Sequence, residues 1–415
     1  MAVPPLPRGR VTPTALVRLA AYALDAGLPA VFGLCLMIAV ARGASVEAFG
    51  AFALVLAIAG VQTPVAVLGL AGLFYGRAAS RPSASNRLYW PGVVVVLGSG
   101  AGLYMATLAV LWVLAGPLLL HLYALAGLRV LGAAAEPLRA IYQARSRPDA
   151  YVPIRIGTVA VAALVAAFAF VLQADVVWYA AIWGLEWLLF AAVLLGASLR
   201  RGICPPVRHP RVGPVMVKAA PLLVQAICIA IYMRFDQIYV GWRFGAADLS
   251  AYAAAARIAE AGNMAYGVLA AFLCPRIIRE WRAGRLAGDT KAVLVLIGVG
   301  TVGVSGVGAL WGDTLLAGIF GPAYAAGGLI LAVYVLSTGL TVYSTFGSRL
   351  NVAQGATLPG MISGLVGAVS NVGLSVLLCE VQGPLGAATA TVLSYGLTCM
   401  VLWYAVWRRT SMTRR

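Results

Sequence analysis

Between Tyr232 and Glu260 the chain sets four ionisable side chains into two otherwise apolar runs. Arg234 and Asp236 lie in the first run and Arg257 and Glu260 in the second, joined by a Gly-Ala-Ala-Asp turn. Both runs are long enough to cross a membrane. A charge at the centre of a bilayer costs about 2.5–3.5 kcal/mol even on a lenient insertion scale, so such residues face water, a partner or a ligand. Arg234 and Asp236 stand roughly 200° apart at about 3.6 residues per turn, so each needs its own partner or water. Arg257 and Glu260 are i,i+3 neighbours and are placed to neutralise each other. Asp25 lies roughly 16 Å along the first apolar segment from Thr14 at about 1.5 Å per residue, near mid-bilayer. Arg129 and Glu186 are similarly deep in the fourth and sixth segments. Glu136 sits nearer the cytoplasm, on the same face as Arg129 but two turns away, a spacing that disfavours a direct pair.

The rest of the chain offers no catalytic constellation, and the expectation is a protein that is not an enzyme and holds no cofactor or metal. His121 and His209 have no partner pattern, and HExxH is absent. Lys218 and Lys291 are each followed by Ala, so no GxxxxGK[ST] phosphate loop exists. Transport driven by ATP through such a loop is excluded, which leaves an ion gradient, the membrane potential or a substrate gradient. The six cysteines form no CxxC pair and lie mostly in apolar stretches, as packing residues do.

The elements that must position these charges are transmembrane helices. The 415 residues are 62% hydrophobic and only 10% charged, with a mean hydropathy of +0.93, whereas soluble domains carry about 25% charged residues. At about 20 apolar residues per span, the chain divides into twelve: approximately 14–40, 48–74, 89–114, 117–142, 153–173, 176–199, 218–242, 249–274, 290–311, 324–348, 358–380 and 384–407. The net charge of +17 does not indicate nucleic acid, because most basic residues fall in alternate loops, the pattern of the positive-inside rule. Only Arg42 and Arg243 fall in the opposite loops. Both termini are therefore expected in the cytoplasm, with an uncleaved first helix. Clustered Gly298, Gly300, Gly303, Gly306 and Gly308 predict close helix packing.

The chain also repeats itself. Gly43-Ala44 and Phe49-Gly50-Ala51-Phe52-Ala53 link the first two spans, and Gly245-Ala246 and Leu249-Ser250-Ala251-Tyr252-Ala253 link the seventh and eighth. Six spans between the copies predict a parallel repeat about an axis along the membrane normal. Two six-helix bundles follow, 1–207 and 208–415, hinged in the Pro- and Arg-rich loop 200–214.

Arg-Phe-Asp-Gln-Ile at 234–238 followed by Ser-Ala-Tyr-Ala-Ala-Ala-Ala-Arg-Ile at 250–258 resembles the seventh and eighth helices of polysaccharide flippases. These are the O-antigen and lipid-linked oligosaccharide transporters of the multidrug/oligosaccharidyl-lipid/polysaccharide exporter superfamily. Ile319-Phe320-Gly321-Pro322-Ala323-Tyr324 is similar to the turn before that family's tenth helix, Val366–Val372 to its eleventh, and Gly383–Thr391 to its turn into the twelfth. The resemblance implies an all-α integral membrane protein with a MATE-like architecture in the bacterial inner membrane. Its implied cargo is an undecaprenyl-pyrophosphate-linked oligosaccharide, with membrane lipids and other polysaccharide-assembly membrane proteins as partners and no nucleic acid. Arginine grips phosphate oxygens in a fixed fork and stays charged in low dielectric, which makes Arg129, Arg234 and Arg257 candidate head-group ligands. Asp25, Glu136, Glu186, Asp236 and Glu260 are candidates to bind a coupling H+ or Na+ or to balance the arginines. A chamber lined by Asp25, Arg234, Asp236, Arg257 and Glu260 is expected. Trp183, Trp187, Tyr232 and Tyr343 are candidates to stack on sugar rings or to anchor at the membrane interface. A cation-coupled multidrug exporter would instead want an acidic, aromatic cavity. A peptidoglycan-precursor flippase would want about fourteen spans. A membrane glycosyltransferase would want large outer loops bearing catalytic residues, and here those loops are short.

Overall fold

The computed structural model describes residues 13–80, 89–201, 213–282, 288–356 and 358–413. Among these residues there is no strand. The helices are α1 (Pro13–Gly43), α2 (Val46–Val67), α3 (Leu70–Ser80), α4 (Tyr89–Leu114), α5 (Pro117–Ala126), α6 (Leu128–Gly132), α7 (Glu136–Ala144), α8 (Val152–Val171) and α9 (Val176–Arg200) in the N-terminal half. The C-terminal half holds α10 (Gly213–Arg243), α11 (Ala246–Arg282), α12 (Gly288–Ile319), α13 (Gly328–Ala353), α14 (Leu358–Gln382) and α15 (Pro384–Thr413). The boundary expected at 207/208 lies outside the described residues.

Breaks explain why there are more helices than traverses. Leu68 and Gly69 both take positive φ, 54° and 68°, and bend α2 into α3 within what the sequence presents as one span. A 3-10 turn, Ala133–Ala135, joins α6 to α7, and Pro137 follows it. Counted with their continuations, the described helices make twelve traverses. Eleven are long and apolar enough to cross a membrane. The other, α11, is 37 residues long, and its hydropathy is diluted by Asp248, Arg257, Glu260, Arg276, Arg279 and Glu280. Side chains such as Trp112, Leu164 and Leu310 stand exposed around the bundle, which suits a surface solvated by lipid.

The repeat is exact in length where the sequence motif suggests a two-residue difference. α1 ends at Gly43 and α10 at Arg243, while α2 starts at Val46 and α11 at Ala246. Corresponding positions therefore differ by 200 in number. Phe49 matches Leu249 and Phe52 matches Tyr252, and all four are fully buried. The Gly-Ala pair shifts register between the copies: Gly43 closes a helix, whereas Gly245 makes the turn at φ +91°. In the first copy Ser45 caps α2, accepting the Ala48 N–H at 3.2 Å.

The halves meet along α2, which packs against both α10 and α11, and they lock at the end carrying the 44–45 and 244–245 links. Gly50 is required there, since a Cβ would lie 1.8 Å from the Ala246 carbonyl oxygen. Phe49 meets Tyr324 edge-on at 5.1 Å, and the Tyr324 hydroxyl donates to the Ala41 carbonyl at 3.2 Å. Arg42 donates from Nε to the Ile319 carbonyl at 2.8 Å and from Nη2 to Gly318, capping the electronegative end of α12. Arg243, the other basic residue at this end, pairs with Glu380 at 3.1 Å. The two exceptions to the charge bias are thus both engaged by the C-terminal half.

The glycines of α12 divide. Gly308 packs on the Ala332 backbone, while Gly300, Gly303 and Gly306 face open space. Close packing through the whole cluster is therefore corrected to one side of the helix. Among the described residues the five cysteines are free.

Gly50→Val is expected to destabilise the protein by about 1–3 kcal/mol through overpacking, read as a lower thermal midpoint in detergent. Gly43→Ala, where a Cβ meets nothing within 4 Å, serves as the control and should change stability by about 0.5 kcal/mol or less.

Candidate functional site

Glu260 of α11 sits between two guanidiniums. Arg234 of α10 donates to its Oε1 at 2.6 Å and its Oε2 at 3.3 Å. Arg257, one turn earlier on α11, donates to Oε2 at 3.1 Å, and the Gln237 amide lies at 3.4 Å. The predicted i,i+3 pair thus exists but is shared, and two cations against one carboxylate leave a surplus positive charge. The three side chains remain 16–20% exposed, so the surplus is accessible. Gly60 of α2 lies directly opposite, where a Cβ would come within 3.3 Å of Arg234 Nε. In the repeat, Gly60 corresponds to Glu260 and Ala57 to Arg257. The N-terminal copy supplies space where the C-terminal copy supplies charge.

Asp236 points the other way on α10 and is fully buried. The Tyr252 hydroxyl donates to it at 2.6 Å, the Thr391 hydroxyl at 3.2 Å and the Gln237 backbone N–H at 2.8 Å. Among the described residues no basic group lies within ion-pair distance of it. Asn371 Nδ2 donates to Thr391 at 3.4 Å. Asn371 Oδ1 and Ser375 Oγ are buried without a partner. Asn371 lies in the Val366–Val372 resemblance, but neither it nor Ser375 reads as a site in the sequence, because neutral polar residues on an apolar helix look like ordinary packing.

The remaining charges belong to the N-terminal half. Asp25 accepts from Arg139 at 3.2 Å, Gln143 at 3.3 Å and Tyr151 at 3.2 Å, and Glu136 also pairs with Arg139 at 3.2 Å. The single chamber expected around Asp25, Arg234, Asp236, Arg257 and Glu260 is therefore resolved into three separate groups, because each acid finds a donor within its own half. Glu186 pairs with Arg155 at 2.9 Å, both almost completely buried. Arg155 lies at the start of the fifth expected span and is the fourth residue of α8. Its distance from any intramembrane pattern hid its role.

Arg129 is held differently. Its guanidinium lies 4.3 Å from the ring centres of both Trp183 and Trp187, and Trp187 also carries Arg155 at 4.6 Å. The two indoles are thus engaged by arginine within the protein rather than standing as interfacial anchors. Tyr232 packs edge-on against Tyr395 at 5.1 Å, and the Tyr343 hydroxyl donates to the Leu294 carbonyl at 2.5 Å.

Residues 39–275, more than half of the chain and including α10, most of α11 and the Glu260 group, match the profile of a family described as polysaccharide biosynthesis protein. The chain belongs to that family. No curated protein matches it. The fold of this polysaccharide biosynthesis protein is that of the multidrug/oligosaccharidyl-lipid/polysaccharide exporter superfamily. It is similar to an inward-facing multidrug-resistance MATE transporter, at 14% identity and TM-score 0.73 over 95% of this chain and 99% of that one. It is similar also to the lipid II flippase MurJ in an inward closed conformation, at 12% identity and TM-score 0.71 over 93% and 87%. A superfamily transporter from Pyrococcus furiosus aligns at 13% identity and TM-score 0.65 over 96% of each chain.

Breaking the buried pair in the N-terminal half leaves a charge without compensation. Glu186→Gln is expected to cost about 3–5 kcal/mol. The Glu186→Leu/Arg155→Met double variant should recover most of that stability in a thermal denaturation series.

Proposed function

We propose that this polysaccharide biosynthesis protein is a flippase that moves an undecaprenyl-pyrophosphate-linked oligosaccharide across the bacterial inner membrane by alternating access. The observation that carries this reading is the accessible positive surplus of Arg234, Glu260 and Arg257 beside the helix that joins the halves. A diphosphate cannot enter hydrocarbon unaided, and two guanidiniums in low dielectric offer it charge-assisted, bidentate hydrogen bonds. The prenyl tail stays in lipid while the head group follows the contact between the halves. The basic ends of the helices are placed in the cytoplasm by the positive-inside rule, so the Arg42–Gly50–Tyr324 lock closes the outer side.

A multidrug exporter for cations fits this site less well. Asp25, Glu186 and Glu260 are each tied to arginine, so none offers a free negative charge to a cationic drug. Among the five candidate acids, Asp236 is the carboxylate left without a basic partner, and we assign to it the coupling ion, H+ or Na+. The hydroxyls of Tyr252 and Thr391 and the unpartnered oxygens of Asn371 and Ser375 support oxygen coordination of a hard cation.

Arg257→Ala should lower glycan export about tenfold or more, the loss of a charged hydrogen bond worth about 1.5–3 kcal/mol, with protein level unchanged. Arg257→Lys should restore only part, since it lacks the fork. A surface-glycan assay decides the role, because normal export by Arg257→Ala/Glu260→Ala would reduce Arg257 to a neutralising partner. For coupling, Asp236→Asn in proteoliposomes should no longer respond to an imposed Na+ or pH gradient. A response equal to that of the native protein to both gradients removes Asp236 from coupling.

A further inference from the structure

We infer that Arg42 is the latch that keeps the outer side of the seam shut, and that the halves part at the α1–α12 edge while the Gly50–Ala246 contact serves as the pivot. This rests on the reading of the protein as an alternating-access carrier, and adds which contact sets its resting state and along which edge it opens.

Two helix C-termini from opposite halves meet at this edge, α1 ending at Gly43 and α12 at Ile319. The last turn of a helix leaves carbonyls without partners and carries a partial negative charge, so two such ends brought together repel. Arg42 removes that repulsion from one side. It belongs to α1 but donates to the Ile319 carbonyl at 2.8 Å and to the Gly318 carbonyl. Tyr324 answers from the other side, donating to the Ala41 carbonyl of α1 at 3.2 Å. Gly321 at φ +127° makes the turn that brings Tyr324 back to α1, a conformation that a side chain would oppose. Beside these bonds Phe49 of one half packs on Phe320 and Tyr324 of the other, at 6.2 and 5.1 Å, and all three rings are buried. The hydrogen bonds form a polar rim and the rings an apolar plug.

Arg42 is built to let go. Among the described residues its acceptors are carbonyls and not a carboxylate, and it is exposed, so water can replace them when the halves part. Arg155 and Glu186 could not separate in that way without stranding a buried charge. The latch is also single. Trp242 stands at the corresponding position of the second copy, exposed and packed on Tyr239 at 6.0 Å, and Arg243 stays within its own half on Glu380. At the other edge of the seam α2 packs on α10 and α11, with Gly50 against the Ala246 backbone. That contact is close and carries no charge to release, which suits a pivot.

The test measures distances in the full-length protein in lipid nanodiscs, with native cysteines replaced and spin labels read by double electron–electron resonance. One label pair, at Leu172 and Leu315, spans the latch edge; a second, at Leu114 and Trp242, spans the pivot edge, and all four positions are exposed. Arg42→Ala should add a longer distance at the latch edge and raise the open-to-closed ratio about tenfold or more, the effect of losing a charged hydrogen bond. Arg42→Lys should shift it less. Arg42→Ala/Tyr324→Phe, which removes both bonds across the edge, should shift it further. Arg243→Ala, which breaks an outer ion pair inside one half, should match the native protein. A native-like distribution in the double variant overturns the latch, as does an equal shift in Arg243→Ala. Equal lengthening at both edges overturns the pivot. The distances are read without cargo, so they hold or fail independently of the flippase reading, which glycan export tests.

Discussion

One carboxylate shared by two guanidiniums governs the centre of this protein. Glu260 lowers the cost of bringing Arg234 and Arg257 into the bundle, yet it answers only one of their two charges. Buried ion pairs of this kind seldom add net stability, because desolvation offsets the Coulomb gain. Their geometry here is better understood as holding a cation ready than as holding the fold together. The fold instead rests on the continuous apolar contact of α1, α2, α9 and α11 with the 3-10 turn Pro322–Gly327 before α13. Gly60 on α2 permits the close approach that places Arg234 against the opposite half.

The same division of labour appears in the repeat. The two copies share the length of their first helix, the link length and the buried Phe52/Tyr252 position, but not polar residues. Ala57 and Gly60 stand where Arg257 and Glu260 stand two hundred residues later. A duplicated scaffold with one charged copy gives an asymmetric seam, with a small-residue face against an ionic one. The lock at the linked end needs that asymmetry as well. Arg42 crosses to the carbonyls that end α12, whereas Arg243, one position beyond its counterpart in the other copy, stays within its own half on Glu380.

Much of this was legible in the sequence, for physical reasons that also mark where legibility stops. Membrane helices announce themselves by hydropathy, and loop charges announce their order, so the architecture was open to reading. The charged pairs within one helix were equally open, as with Arg257 and Glu260, because spacing alone decides whether such residues meet. Partners on different helices were not. Nothing in the spacing of Asp25 points to Arg139, or of Glu186 to Arg155, since tertiary packing selects among many possible neighbours. The kink at Leu68–Gly69 was also hidden, because a left-handed leucine is a product of packing and not of propensity.

Arg234 and Asp236 are two residues apart and look in opposite directions, and that makes α10 a two-faced helix. Its outer face presents a cation toward the seam, and its inner face presents a carboxylate to Tyr252 of α11 and Thr391 of α15. A helix is stiff over such a short distance, so a rotation or tilt of α10 moves both groups together. If Arg234 takes the cargo anion and Asp236 the coupling ion, as proposed, the two ligands act on one rigid lever from its two sides. Coupling between them requires no pathway through the bundle, only different preferences of the two ligands for the orientations of α10. The opposed placement that keeps Arg234 and Asp236 from neutralising each other would also let a cargo and an ion be read by the same helix.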